Sequence, residues 1–192
     1  MDTEKKVDPR AALVNGLKGA ADKQSYLDDL EKGLDESKNA ITAEFLAAVY
    51  GSGVADMKIE ANAEKSNAAL EKGVQFGSTT CIIAKGEKTT DPAKAAEYFN
   101  SALDAGDFRA ANSLGVIALR SGDLTEALAK FELAASHKVD RAHQNLLITR
   151  MQAAMNAQQQ AFAYMQKAIS VFAARPPPSA EKEKETTEEK KE

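Results

Sequence analysis

The sequence predicts an all-α fold, an α-solenoid of about five antiparallel helix pairs with a disordered, charged C-terminal tail. Three observations predict it. No segment alternates apolar and polar residues through a β-branched run, so none reads as a strand. Of the 192 residues 43% are hydrophobic and only 6% aromatic, with no Trp, and Ala, Lys and Glu are abundant; these are small or strong helix-forming side chains. A small–large–small triplet, spaced four and then three residues apart, recurs along the chain.

The triplet is clearest as Ala95-Phe99-Ala102, Ala127-Phe131-Ala134 and Ala161-Met165-Ala168. Backwards it continues as Ala63-Asn67-Leu70 and Lys23-Leu27-Leu30, so its first members stand at 23, 63, 95, 127 and 161. Positions four and three apart share one helical face. A bulky side chain between small neighbours gives that face a seat for close packing. A second helix lies between triplets, because Arg109-Ala110 and Leu114 return 32 positions later as Arg141-Ala142 and Leu146.

Five pairs follow in order: 9–20 with 23–37, 40–50 with 56–73, 76–85 with 92–105, 107–121 with 123–137, and 139–155 with 158–173. Asp8-Pro9 and Asp91-Pro92 each place a capping acid before a proline at the first helical position. Gly16 and Gly19 make the opening helix the weakest. Gly51, Gly53, Gly73, Gly86 and Gly106 fall at expected helix ends, and Gly115 admits a close neighbour. Gly122-Asp123 combines a C-terminal stop with an N-cap, and Asn156 is expected to make the corresponding turn one unit later. A pair of this length does not bury its apolar face alone, so neighbours must stack. The repeat domain is therefore set at 9–174, after a flexible 1–8. Pro176 to Pro178 end the last helix, and the Lys- and Glu-rich remainder of 175–192 is expected to be disordered.

Charge and motif content exclude several functions. A net charge of −4 gives no reason to expect a phosphate backbone or an anionic membrane as partner. No run approaches the ~18 apolar residues of a membrane span, and MDTEKKVDPR has no apolar segment behind it, so the expectation is a cytoplasmic protein. Cys81 is the one cysteine and, beside Ile82 and Ile83, reads as a buried small hydrophobe. His137 and His143 lack metal-ligand spacing. Asp28, Asp29, Glu31, Asp35 and Glu36 read as a solvated helix face, and Gly51-Ser52-Gly53 lacks the Lys-Ser/Thr of a phosphate loop. No catalytic residue, metal or cofactor is expected.

The stretch from Asp91 to Ile117 resembles the Sel-one-like repeat, a relative of the tetratricopeptide repeat. Asp91, Lys94-Ala95, Tyr98, Ala102, Gly106-Asp107, Ala110 and Leu114-Gly115 carry the resemblance, with a shorter match at Tyr50-Gly51-Ser52-Gly53-Val54. The next unit, through Ala127-Phe131-Ala134, looks more like a plain tetratricopeptide repeat. Departures are Cys81, where the leucine of the Leu-Gly pair belongs, and Asn67 at a bulky core position.

Proteins resembling this family are adaptors and scaffolds that bind other proteins. The resemblance implies that the first helix of each pair lines a concave groove, which places Arg109, Asn112, Val116, Arg120, Arg141, Gln144 and Ile148 toward a partner. Arginine with amide neighbours suits carboxylates and peptide backbone, so the expected ligand is an acidic or extended segment of another protein. An RNA-binding helical repeat and a regulatory subunit of a larger enzyme or chaperone complex are the alternatives; acidic charge and few aromatics speak against the first. The apolar stripe Leu147, Met151, Met155, Phe162, Met165, Ile169 and Phe172 reads as core, with self-association through an uncapped last pair as its other reading.

Overall fold

The computed structural model of the chain describes residues 8–174. The segments expected to be flexible (up to Asp8) and disordered (175–192) lie, Asp8 excepted, outside the described residues. Two compact units divide between Thr149 and Arg150.

The first unit is built of helices in chain order: α1 (Pro9–Gly19), α2 (Lys23–Lys32), α3 (Leu34–Ser37), α4 (Ala40–Ser52), α5 (Ala63–Gln75), α6 (Thr79–Lys88), α7 (Pro92–Asp104), α8 (Arg109–Ser121) and α9 (Leu124–Ser136). The start of α10 (Ala142–Ala173) closes it. Short polar side chains start these helices. Asp8, Asp22, Asn39, Asn62, Ser78, Asp91 and Asp123 each accept a hydrogen bond from a first-turn N–H of the helix that follows, satisfying donors that have no partner within the helix. Gly122 ends α8 at φ 85, a left-handed conformation that glycine adopts without a Cβ clash. The all-α stack of helix pairs expected from the sequence is the fold adopted, and no strand occurs among the described residues.

From α4 to α9 each helix packs chiefly on its chain neighbours, with α4 on α5, α6 on α7 and α8 on α9 as the tightest pairs, while α1 reaches past α2 to α4. The core is accordingly a chain of small clusters. Leu27, Leu34, Leu46, Leu70 and Cys81 form one, Ile83, Phe99, Ala102 and Leu114 the next, and Ala118, Ala127 and Phe131 another. The two central triplets, Ala95-Phe99-Ala102 and Ala127-Phe131-Ala134, are buried throughout.

Four expectations are corrected. The helix 23–37 breaks at Gly33 into α2 and α3. The helix expected from 56 starts only at Ala63, because Val54 bridges back to Ile59 and buries it, and Asn62 then caps α5. Within α5 the buried face is Ser66, Ala69, Leu70 and Gly73, so Ala63 and Asn67 are exposed and the triplet is out of register there. Residues 139–155 and 158–173 do not form a pair: α10 runs unbroken through Asn156. Alanines, methionines and glutamines surround Asn156, and one asparagine without a glycine or proline does not stop so favourable a run.

The second unit is, among the described residues, the remainder of α10 from Arg150. It buries none of its side chains, so the stripe expected as core is exposed there, and Leu147 just before it is exposed as well. No helix among the described residues is long and apolar enough to cross a membrane.

Candidate functional site

A row of three clefts, each sharing lining residues with the next, runs across the first helices of three successive pairs, α4, α6 and α8. Its largest part, about 640 Å³, lies between the C-terminal halves of α6 and α8. The floor is apolar, made by Ala95, Phe99, Val116 and Ile117, while Asn112, Arg120 and Glu87 stand on its walls. Phe99 reaches this position because Gly86 opposes it: a Cβ on Gly86 would lie 2.7 Å from the Phe99 ring. A central part of about 340 Å³ shares Glu87, Asn112 and Ser113 with the first and adds Thr80, Ala84 and Arg109. The third, about 360 Å³, shares Thr80 and Ala84 and reaches α4 at Glu44, Ala47 and Gly51.

Three of the residues expected in the groove, Asn112, Val116 and Arg120, line its largest part, and Arg109 lines the central one. Arg109 is no open cation. Its Nε and a terminal nitrogen donate to the two oxygens of Asp107 at 2.9 and 2.6 Å, and the same terminal nitrogen donates to Thr80 Oγ1 at 3.1 Å. The pair holds the Asp107 carboxyl below the usual carboxylate range and raises the guanidinium. It ties the start of α8 to α6. Arg120 is exposed at the last turn of α8.

Arg141, Gln144 and Ile148 line none of these three clefts. Arg141 sits in the turn before α10 at φ 64, and all three are exposed. The segment reaches α8 through Ala142 and Leu146, which cluster with Ala111, and through Asn145, whose Nδ2 donates to Asn112 Oδ1 at 2.9 Å. A helical register shifted by one position separates Gln144 from Asn145, and the 32-residue step alone did not resolve it.

Two partly buried anchors were missed in the sequence. Glu44 accepts from Ser78 Oγ at 2.5 Å and pairs with Arg10, joining α1, α4 and the cap of α6. It is the one charged residue of α4, AITAEFLAAVYGS, and a lone carboxylate in an apolar helix was the available signal. Lys65 donates to Glu31 at 2.9 Å and Asp28 at 3.2 Å and lies over the Tyr50 ring. The Glu31 bond first of all pushes the ammonium pKa up. Asp28 and Glu31 thus hold α5 to α2, a structural use of what reads in sequence as a solvated acidic face.

His137 stacks on Phe108 with ring centroids 3.3 Å apart. Cys81 is buried against Gly73, and desolvation raises its thiol pKa. No group of three or more His, Cys, Asp or Glu among the described residues is placed to hold a metal ion.

No family model matches the chain, and no curated protein does. Among solved structures it is similar to a protective antigen present in uropathogenic Escherichia coli strains, described as displaying an SLR (Sel-one-like repeat) fold. The likeness has 21% identity and a TM-score of 0.47, and it covers 89% of this chain and 48% of that one. The chain thus spans about half the length of that structure. The helix-pair stack is established by the packing described above, independently of this likeness.

Proposed function

We propose that this chain is a non-enzymatic protein-interaction scaffold, and that the row of clefts across α4, α6 and α8 holds an extended segment of a partner protein. The observation that supports this reading is the row of adjoining clefts across three pairs, the largest of them with an apolar floor and polar walls. A peptide laid along it places an apolar side chain on Phe99, Val116 and Ile117. The Asn112 amide nitrogen meets its backbone, and Arg120 favours a carboxylate beside that side chain. Arg109 serves as a strut that keeps α6 and α8 at the spacing the floor requires.

The test is affinity capture on the full chain, comparing the natural sequence with Val116→Asp and Arg120→Glu. Arg120 is exposed, so the thermal midpoint of Arg120→Glu should barely move, while Val116 is partly buried against the Phe131 cluster, so recovery by Val116→Asp is compared below its own measured midpoint. Partner recovery should fall about tenfold or more for each, in line with ~1.5–3 kcal/mol for a charge-assisted contact. Undiminished recovery of the same partners by both variants would overturn the groove assignment.

A further inference from the structure

The exposed face of α10 follows a stricter rule than amphipathicity. From Arg150 onward six of its eight large exposed apolar residues, Met151, Met155, Phe162, Met165, Ile169 and Phe172, share one stripe, and Tyr164 and Val171 stand beside it at c positions. With Gln158 inserted, the spacing is four, three, four, three, four, three, a heptad seam of a and d positions sustained over three heptads. Those six side chains are between 51% and 73% exposed. Nothing else in the described structure leaves a comparable apolar surface bare.

The flanks of the seam are as regular as the seam. The e positions are Gln152, Gln159 and Gln166, and the g positions are Ala154, Ala161 and Ala168. Arg150 and Lys167, the two charged residues of this segment, fall at c and f, away from the contact. Heterotypic coiled coils select partners through charges at e and g, and here no such code exists. Like meets like without charge repulsion, and the alanine row permits close approach.

We propose that this seam pairs with the same helix of a second copy of the chain, as a parallel, in-register two-stranded coiled coil. Gln158 argues for that occupant and register. Its amide both donates and accepts, so at the second of the four d positions it is satisfied by the partner's Gln158, whereas an unrelated apolar surface would strand it. At roughly 100 Å² of exposed surface per large side chain, a modest value beside the 150–250 Å² of an aromatic, each helix offers on the order of 600 Å². Two helices then bury ~1,200 Å², the lower end of the range for stable interfaces. The dimer is therefore concentration-dependent. This inference stands apart from the groove on α4, α6 and α8.

Sedimentation equilibrium of the full chain over a wide concentration range tests it. The mass should double as concentration rises. Phe162→Lys and Met155→Lys, exposed in the single chain and so harmless to its folding, should remain monomeric, while Gln160→Lys at an f position should still dimerise. Gln158→Cys should cross-link under mild oxidation, since the native Cys81 is buried. A chain that stays monomeric throughout, including one that instead sediments with lipid vesicles, or a dimer indifferent to Phe162→Lys, would sink the pairing. A dimer in which Gln158→Cys fails to cross-link would overturn its register. Arg120→Glu should leave the mass unchanged, which separates this outcome from that of the groove.

Discussion

Asp107 and Arg109 show how a single residue can hold two repeats together. Asp107 is only 13% exposed while Arg109 is 54% exposed, so the pair is half-screened and its worth is discounted to about 1 kcal/mol. The Asp107 carboxyl is depressed in the folded chain, first by the Arg109 hydrogen bond. Its stabilisation is therefore complete above the unfolded carboxylate value of about 3.9 and is lost as pH falls through the lower folded value. Asp107→Asn should lower stability by about 1 kcal/mol at pH 7, with the deficit closing toward pH 2. Urea midpoints of both proteins across pH 2–7 check this, and a pH-independent deficit would refute the ion-pair origin. This use of Arg109 was hidden in the sequence, where its recurrence as Arg141 suggested a shared groove role. Only the fold shows that one is paired with Asp107 and bonded across to Thr80 of α6, and the other exposed in a turn.

At the level of the helix pair, glycine and an aromatic ring form a lock. Gly16 faces Tyr26, Gly86 faces Phe99 and Gly115 faces Phe131. A Cβ on Gly115 would stand 2.6 Å from the fully buried Phe131 ring. The triplet therefore describes half of the contact, and the glycine on the preceding helix is the other half. Gly115→Ala should destabilise by ~1–3 kcal/mol through overpacking, and Phe131→Ala by ~3–5 kcal/mol through the cavity it leaves. Combined as Gly115→Ala with Phe131→Leu, the losses should be less than additive, because the smaller side chain relieves the clash. Denaturant titrations read all of these. Gly86 was expected as a helix end and Gly115 as a close contact; they perform the same task. Their sequence contexts differ, with Gly86 near a true C-terminus, which is why the equivalence was not legible.

Across the whole chain, contact between nearest neighbours means that stability is distributed and not pooled in one core. Helices α6 to α8 have helices packed on both sides and α9 packs tightly on α8, whereas 150–173 bury no side chain. An isolated helix of that length is marginal in water even with good helix formers. Native-state hydrogen exchange should therefore show strong protection in α6 to α9 and near-baseline protection beyond Thr149 in dilute solution. Protection of 150–173 should rise with protein concentration, while that of 79–136 should not. Concentration-independent exchange in both segments would remove the link between α10 and association.

Helix content, most helix starts and the two central triplets were determined by the sequence itself. Capping by Asp8, Asp91 and Asp123, the stop at Gly122, and the small–large–small periodicity are local physics, and each operates within a few residues of its cause. The tertiary structure alone decided which apolar faces are covered. Ala127-Phe131-Ala134 and Ala161-Met165-Ala168 carry the same pattern, yet the first is buried and the second exposed. The pattern states that a face is apolar, and burial requires a neighbouring helix to meet it. Asn156 makes no turn, so no second helix folds back on α10, and a stripe read as core becomes a surface. The same reason limits the groove. Asn112, Val116 and Arg120 were readable from helical register within one unit, whereas Arg141 falls in the turn before α10 and Asn145, not Gln144, meets Asn112.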